Sequence, residues 1–599
     1  MRHAALAILL FTGACSGGEP APQSQAPAAL PAADMLEGAW TEEDAAPLLD
    51  KTLYLHLETD QGALSAAEKA AAAELLAAGE RLHLLYLDQK HPQARAAREL
   101  LNNHPELQGL NDVFRMMIGP FATTLDNQRE PILNVAPETA GKNMYPQDAT
   151  RKGVDEWLAE NPERRDDIMH LRAVVQTAEP RNLNRALATL DAYPALDLLH
   201  PGLRAKLQDS AGFLSVPYSV AYAPDIMFIY DRLNAAADYM EKEDPAFSRF
   251  LRLRARDFLA DDYEGGDAAW VTGDFTGNLN AQIGSYETYD DSLYGVKSFF
   301  SLSLLQRDKE RSDELAEAIG DIQAIEDALP YAARKKVRSN IPVGVYDVVA
   351  DFGQSRGTNT ATILPNEGHL SRQYGRTILI RSNILTNPDI FATAENAFNA
   401  ATVDAHHGDL KAEGNFYRTL WHEIGHYLGP DQTKDGRDID AALQDTADMF
   451  EEMKADLVSI FASQMLHDAG QHSDERLAAI YAAGINRVLQ KVEPRRSQPY
   501  QTMQLIQWNW YLDKGLLRFE DGKLAINYAL YPEAVSSLLT AVIDIQYQGD
   551  RDAANAFVEQ WTVWDEDRHG AVAKAMRDAE EYRYRLVTYH ALGEIPRGN

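Results

Sequence analysis

Cysteine is all but missing from this chain. Cys15 is the only one in 599 residues, so no disulfide can form within the chain and its stability has to come from a buried core. Positive charge is also scarce. There are 57 Lys and Arg against 90 Asp and Glu, a formal net charge of −33. Sequence-independent nucleic-acid binding needs clustered cations, so that class is set aside, and most of the negative excess reads as solvated surface. No apolar run is long enough to span a bilayer as a mature helix, and no tandem repeat of the solenoid type is present. What remains, 45% hydrophobic and 25% charged, is a soluble globular composition. Its length exceeds one ordinary core, so two or more lobes are expected.

The place of Cys15 carries information. A short basic start, Met1-Arg2-His3, precedes an apolar stretch from Ala4 to Phe11 and then Thr12-Gly13-Ala14-Cys15. This is the pattern of a signal peptide ending in small residues. It resembles a bacterial lipobox, in which the cysteine is lipidated and becomes the mature N-terminus; Thr12 stands where leucine is usual. Ser16 to Asp34 is rich in Pro, Ala, Gly and Ser and lacks periodicity, which predicts a flexible tether. The expectation is a bacterial envelope protein held at the membrane only through a lipid on Cys15, with its body in the periplasm or at the surface. The alternative is a plain secretory signal and a soluble secreted protein.

Thr52 to His56 alternates as a strand does, and Ser65-Ala-Ala-Glu68 is a capping box opening an Ala-rich helix to about Leu82. Helical patterning then dominates to about residue 260. Residues 343–352 and 377–381 are rich in β-branched and aromatic residues, with a polar, Gly-containing loop from Gly353 to Asn359 between them. From about 393 to 590 the pattern is helical again. The coarse reading is α+β, mainly α, in two lobes.

Residues 422–426 read His-Glu-Ile-Gly-His within a helix predicted from Asn415 to Leu428. Residues four apart share a helix face, so His422 and His426 can hold one metal ion with Glu423 beside them as a general base. Catalytic zinc takes three protein ligands. A third histidine in an extended HExxHxxGxxH pattern would fall at Gln432, a poor ligand. The other option is a carboxylate from a second helix, predicted from Leu443 to Leu466, which carries Glu451-Glu452-Met453-Lys454-Ala455-Asp456. Its packing face makes burial of acidic side chains costly unless a cation compensates. Glu452 is the expected third ligand. Asp456, one turn on, and Glu451 are expected to accept the free N–H of the ligating imidazoles. Asp448 and Lys454 read as a solvated face, and His406 and His407 as loop residues.

His-Glu-Ile-Gly-His with Glu-Glu-Met-Lys-Ala-Asp, 26 residues from His426 to Glu452, resembles the dipeptidyl peptidase III metallopeptidases, whose familiar forms are HELLGH and EECRAE. Ile283-Gly-Ser-Tyr-Glu287-Thr-Tyr289-Asp-Asp-Ser resembles their IGxxESYxDP segment, and Leu364-Pro365-Asn366 their substrate-binding IPN segment. Gly119-Pro120 and residues 141–146 also resemble bacterial members, so the resemblance covers most of residues 50–560. It implies a helical zinc-binding lobe and a lobe with a small β-barrel-like core, separated by a wide cleft. It also implies one Zn2+ per chain, Tyr289 as a donor to the oxyanion, and Glu287 and Asn366 binding the free α-amino group of a short peptide.

The division of the chain that follows is a signal peptide at 1–14, a tether at 15–40 and a lower lobe at 41–308. An upper-lobe segment comes next at 309–346, then a β-rich return to the lower lobe at 347–392. The zinc-binding helical lobe takes 393–560, and a C-terminal helical segment 561–599. Two positions depart from the family pattern. Ile363 stands where the family has a further asparagine. A downstream histidine and arginine fall near Thr502 and Ile506, with Asn509 on the same helix as a substitute. The expected function is a zinc-dependent exopeptidase releasing N-terminal dipeptides from short peptides, with a monomer favoured. The alternatives are a zinc aminopeptidase or other amide hydrolase of the same fold, and a membrane-tethered binding protein without activity.

Overall fold

The computed structural model describes residues 32–592, apart from 320–321, 333, 338–342, 358, 366–369, 371–372 and 497. Cys15 and Asn366 therefore lie outside the described residues. The expected tether is shorter than 15–40. Ala32–Leu36 forms a turn of 3-10 helix, and Met35 is fully buried against Leu48, Phe114 and Ile132. The buried Met35 follows directly on the Pro-, Ala-, Gly- and Ser-rich stretch that ends at Asp34, and lies inside the 15–40 division.

Strand β1 (Thr52–Leu57) leads into helix α1 (Ala66–Lys90). The capping box is formed: the Ser65 hydroxyl accepts the Glu68 N–H at 3.1 Å, and the Glu68 carboxylate accepts the Ser65 N–H at 2.8 Å. The helix runs to Lys90 rather than Leu82 because Leu85, Tyr86 and Leu87 continue its buried surface. Helix α2 (Ala223–Met240) packs along α1. Between them the chain makes two short antiparallel pairs, Phe121–Thr123 with Arg129–Pro131 and Ala173–Thr177 with Phe213–Pro217. Helical patterning does not reveal these.

The central sheet consists of β2 (Leu279–Ser285), β3 (Phe300–Arg307), β4 (Val343–Gly353), β5 (Ala361–Leu364) and β6 (Thr377–Arg381), in the order β2-β3-β4-β6-β5. All neighbours are antiparallel except β4 and β6. The outer strands β2 and β5 do not pair with each other, so the sheet is open and the expected barrel-like core is not formed. Gly79 of α1 lies against β4, where a Cβ would meet the Phe352 ring at 2.4 Å. Helix and sheet are thus in close contact there.

The sheet joins two cores. Side chains alternate across a strand, and on β6 Leu379 enters the N-terminal core while Ile378 and Ile380 enter the C-terminal helical one. That second core is built by α3 (Ala412–Gly425), α4 (Ala447–Asp468), α5 (Asp474–Val488), α6 (Pro499–Asp513) and α7 (Tyr531–Gln548). The C-terminal segment is not wholly helical. After the helix His569–Asp578 comes β7 (Tyr584–Tyr589), which pairs in parallel with β1 and so ties the two ends of the described chain together. The architecture is mainly helical α+β in two lobes.

Candidate metal centre

Helix α3 buries Phe416, Leu420, Trp421 and Ile424. Two glycines set its distance from its neighbours. A Cβ at Gly414 would lie 2.1 Å from the Ala479 carbonyl of α5, and one at Gly425 would lie 3.0 Å from the Ala455 backbone of α4. Gly425, inside the motif, lets α3 and α4 meet backbone to backbone, which brings a carboxylate of α4 onto the two histidines. Gly425→Val is therefore expected to push the helices apart, cost about 1–3 kcal/mol by overpacking and abolish metal retention. Thermal unfolding together with elemental analysis of the purified protein checks this.

The expected ligands do converge. Ligand atoms of His422, His426 and Glu452 all lie within 4.8 Å of one another. Glu452 Oε2 is 3.3 Å from His422 Nε2 and 3.9 Å from His426 Nε2. The other ring nitrogens face separate carboxylates. His426 Nδ1 is 3.0 Å from Glu451 Oε1, and His422 Nδ1 is 2.8 Å from Asp456 Oδ1, the latter off the ideal N–H direction. A carboxylate at each Nδ1 favours the proton there and presents Nε2 as the free electron pair, which is how ligating imidazoles are oriented. Two imidazole nitrogens and one carboxylate oxygen fit a divalent metal. His56, Glu58 and His590 form another such group, but it is largely exposed and His56 Nδ1 is engaged by Thr588 at 2.9 Å.

The supporting carboxylates are held in turn. Asp456 meets Arg418 at 2.8 Å, Arg487 at 3.4 Å and Gln507 at 3.5 Å. Glu451 accepts from Lys454 at 2.8 Å and from Gln546 at 3.2 Å. Lys454 is 2% exposed, so it belongs to this network and not to a solvated face. Its chain lies under Gly429, where a Cβ would come within 3.0 Å of it. Asp448 is exposed.

Burial opposes ionisation of Glu451 and Asp456. Lys454 and His426 nevertheless hold Glu451 well below the usual carboxylate range, and Arg487, His422 and Arg418 do the same for Asp456. Burial likewise pulls His422 down, but Asp456, Glu452 and Glu423 outweigh it and raise the imidazole to about 9. A folded value above the ordinary 6.5 stabilises the metal-free protein fully below pH 6.5, and this stabilisation is lost as pH rises through about 9. Metal-free protein should therefore lose thermal stability over that window. Metal-loaded protein, with the cation in place of the proton, should not. Paired melting curves against pH test the difference.

Glu423 is half-buried, and no hydrogen bond ties its carboxylate to a described residue. Tyr289 follows β2 in the other lobe and is 80% exposed. Its phenol is raised above its ordinary value by desolvation, by Glu287, which it hydrogen-bonds, and by Tyr500 and Glu452. With so much of the side chain open to solvent, the neighbouring charges are the more telling cause, and they put Tyr289 within electrostatic reach of Glu452 across the two lobes. Glu287 is half-buried, and its carbonyl accepts the Phe299 N–H at 3.1 Å.

The positions that depart from the family pattern have structural work. Thr502 and Ile506 are buried, Ile506 in the helical core. Asn509 donates to the Trp561 and Val563 carbonyls, both at 2.9 Å, and so holds the C-terminal segment instead of serving the site. His406 and His407 lie in a short turn, bonded to Asp409 and to the Asn399 carbonyl.

Three partners of the centre lie outside the motifs: Arg418, Arg487 and Tyr500. Arg418 had a signal, being four residues before His422 and so on its face. Tyr500 sits in the first turn of α6, and its hydroxyl donates to Glu452 Oε1 at 3.1 Å.

No protein-family model matches the chain. It is 26% identical over 432 residues to Nudix hydrolase 3 of Arabidopsis thaliana, a stretch that is 70% of this chain and 54% of that protein. The chain thus spans about half the length of this curated relative. Among solved structures it is similar to DPP III from Caldithrix abyssi, with TM-score 0.77, 23% identity and coverage of 91% of this chain and 99% of that one. It is also similar to dipeptidyl-peptidase III from Corallococcus sp. strain EGB, with TM-score 0.72, 23% identity and coverage of 93% and 98%. The chain therefore shares the two-lobed fold of these solved structures. More particularly, it is the fold of the dipeptidyl peptidase III structures.

Proposed function

We propose that this chain is a zinc-dependent exopeptidase that releases dipeptides from the amino end of short peptides. The observation that carries the reading is the convergence of His422, His426 and Glu452, each ring nitrogen on the far side backed by its own carboxylate. The dipeptidyl peptidase III fold supports the choice of substrate class. Two histidines and a glutamate are a ligand set that zinc uses in hydrolases.

When bound there, zinc would polarise the scissile carbonyl and lower the pKa of water to about 7. Glu423 takes the proton of the attacking water and passes it to the leaving amine. Tyr289 remains a phenol at neutral pH and donates its O–H to the developing oxyanion. Glu287, with Asn366, binds the substrate's α-ammonium, which measures how much peptide reaches the cleaved bond. Asp456 and Glu451 hold the two imidazoles. Tyr500 anchors one oxygen of Glu452 and leaves the other to face both histidines, so Tyr500→Phe is expected to weaken metal affinity by about tenfold, read by chelator competition.

The deciding assay offers the purified mature protein dipeptidyl arylamides and an unlabelled peptide series, with and without chelator, and weighs the products. Dipeptides lost on chelation and restored by zinc support the proposal. Single amino acids would replace it with an aminopeptidase, and bound metal without turnover with a binding protein. We also propose that a lipid on Cys15 anchors the protein at the bacterial envelope, on the strength of the N-terminal pattern. Cells fed a radiolabelled fatty acid should label the wild type and not Cys15→Ala; an unlabelled wild type would mean a secreted soluble form.

A further inference from the structure

Where β1 and β7 pair in the N-terminal lobe, His56, Glu58 and His590 bring ligand atoms within 4.8 Å of one another. The register explains why they meet. The two strands run in parallel with His56 opposite Thr588 and Leu57 opposite Tyr589. The next residue on each, Glu58 and His590, therefore leaves the pair side by side. Glu58 is also two residues past His56, the spacing that shares one face of a strand.

The His56 ring is oriented for a ligand role. Its Nδ1 lies 2.9 Å from Thr588 Oγ1. The Thr588 hydroxyl donates its own proton to the Leu55 carbonyl at 3.1 Å. Oγ1 is thus the acceptor, the ring proton sits on Nδ1, and Nε2 carries the electron pair. The same device orients the imidazoles of metal sites generally. His56 Nε2 is 3.5 Å from Glu58 Oε1. An electron pair facing a carboxylate calls for a cation between them, a proton or a metal ion. The third donor favours the metal. The His590 ring stands edge-on to that of His56, at 85° between planes, much as His422 and His426 stand at 86°.

We propose that His56, Glu58 and His590 bind a zinc ion, distinct from that of the metal centre, which clips the two ends of the described chain together. Two imidazoles and a carboxylate are a donor set that zinc uses, and three protein ligands leave a position for water. Zinc bonds of about 2.0–2.2 Å hold two ligand atoms within about 4.4 Å of each other. Small rotations of the exposed Glu58 and His590 side chains bring the present set into that range. β1 and β7 form a sheet of two strands, and the ion adds a cross-link between positions more than 500 apart. Because its ligands come from both strands, the ion binds the folded chain and stabilises it by mass action.

The test uses the full mature protein without a histidine tag. Metal-stripped chain is dialysed against a series of zinc chloride concentrations, and bound zinc per chain is read by elemental analysis, with thermal unfolding alongside. At saturation the wild type should hold one zinc ion more than His590→Ala, and filling that site should raise the melting temperature of the wild type only. Glu58→Gln should weaken binding of the extra ion by about tenfold or more. Both residues are exposed, so the variants keep the fold. His467→Ala removes a histidine beside Asp468 and Asp474 and should bind zinc as the wild type does. Equal zinc in the wild type and His590→Ala overturns the proposal. So does an equal loss in His467→Ala, which would mean unspecific binding to an acidic surface. The count is a difference between chains, so it stands whether or not the metal centre fills, and neither readout depends on peptide hydrolysis.

Discussion

Replacing Glu423 with Gln should lower peptide hydrolysis on the order of 10³-fold while the protein keeps its metal and its fold. A general acid–base group contributes about 10²–10⁴ to rate, and Gln has the shape of Glu without the capacity to take up a proton. The side chain is half-buried, and no hydrogen bond links it to a described residue. Its loss therefore leaves no buried partner stranded, and stability should change by less than about 0.5 kcal/mol, as for substitutions away from packed features. The loss should fall on kcat and leave KM nearly unchanged, because the proton moves only in the chemical step. Elemental analysis of the same preparation separates this outcome from metal loss. A variant that retains metal and hydrolyses peptide at close to the wild-type rate would remove Glu423 from the mechanism.

Much of this centre is legible from residue order because helical spacing is rigid. His422 and His426 must share a face once the segment is a helix, and Glu452 and Asp456 must share another. The structure adds the contact between those faces. The signal for it was the glycine inside the motif, since Gly425 is where α3 and α4 touch. Burial was harder to read. Lys454 is one of several charged residues on a predicted helix, and its sequence neighbours are equally compatible with solvent. Only the docking of α4 beneath Gly429 shows that its amine is enclosed with Glu451.

Strand pairing was harder still. The four residues of β5 offer too short a pattern to separate from the loop before them, and β7 owes its existence to β1, more than 500 positions away. An open sheet and a small barrel differ only in whether the outer strands meet, and alternation along single strands carries no trace of that. Thr502, Ile506 and Asn509 make a related point about the site. Two are buried by packing and one holds the chain end, while the polar group that reaches Glu452 from that helix is Tyr500, at a position no motif marks.

Asp456→Asn should cost the protein more stability than any other change to the centre considered above. Asp456 is 4% exposed and faces Arg418, Arg487 and His422 at once. Asn keeps the volume and one acceptor but removes the charge, so Arg418, 9% exposed, becomes a buried cation without its counter-ion. Breaking a buried pair from one side costs about 3–5 kcal/mol, and the lost support for His422 should weaken metal binding by about 10–100-fold. The pH dependence distinguishes this from simple unfolding. A carboxylate held below its ordinary value stabilises fully above about pH 4, and that share is lost as pH falls towards the depressed folded value. The wild type should therefore lose stability steeply on acidification, and Asp456→Asn, already without the charge, should start lower and fall less. Equilibrium unfolding in denaturant at a series of pH values measures both. Parallel acid limbs for the two proteins would mean that the charge of Asp456 does not support the fold.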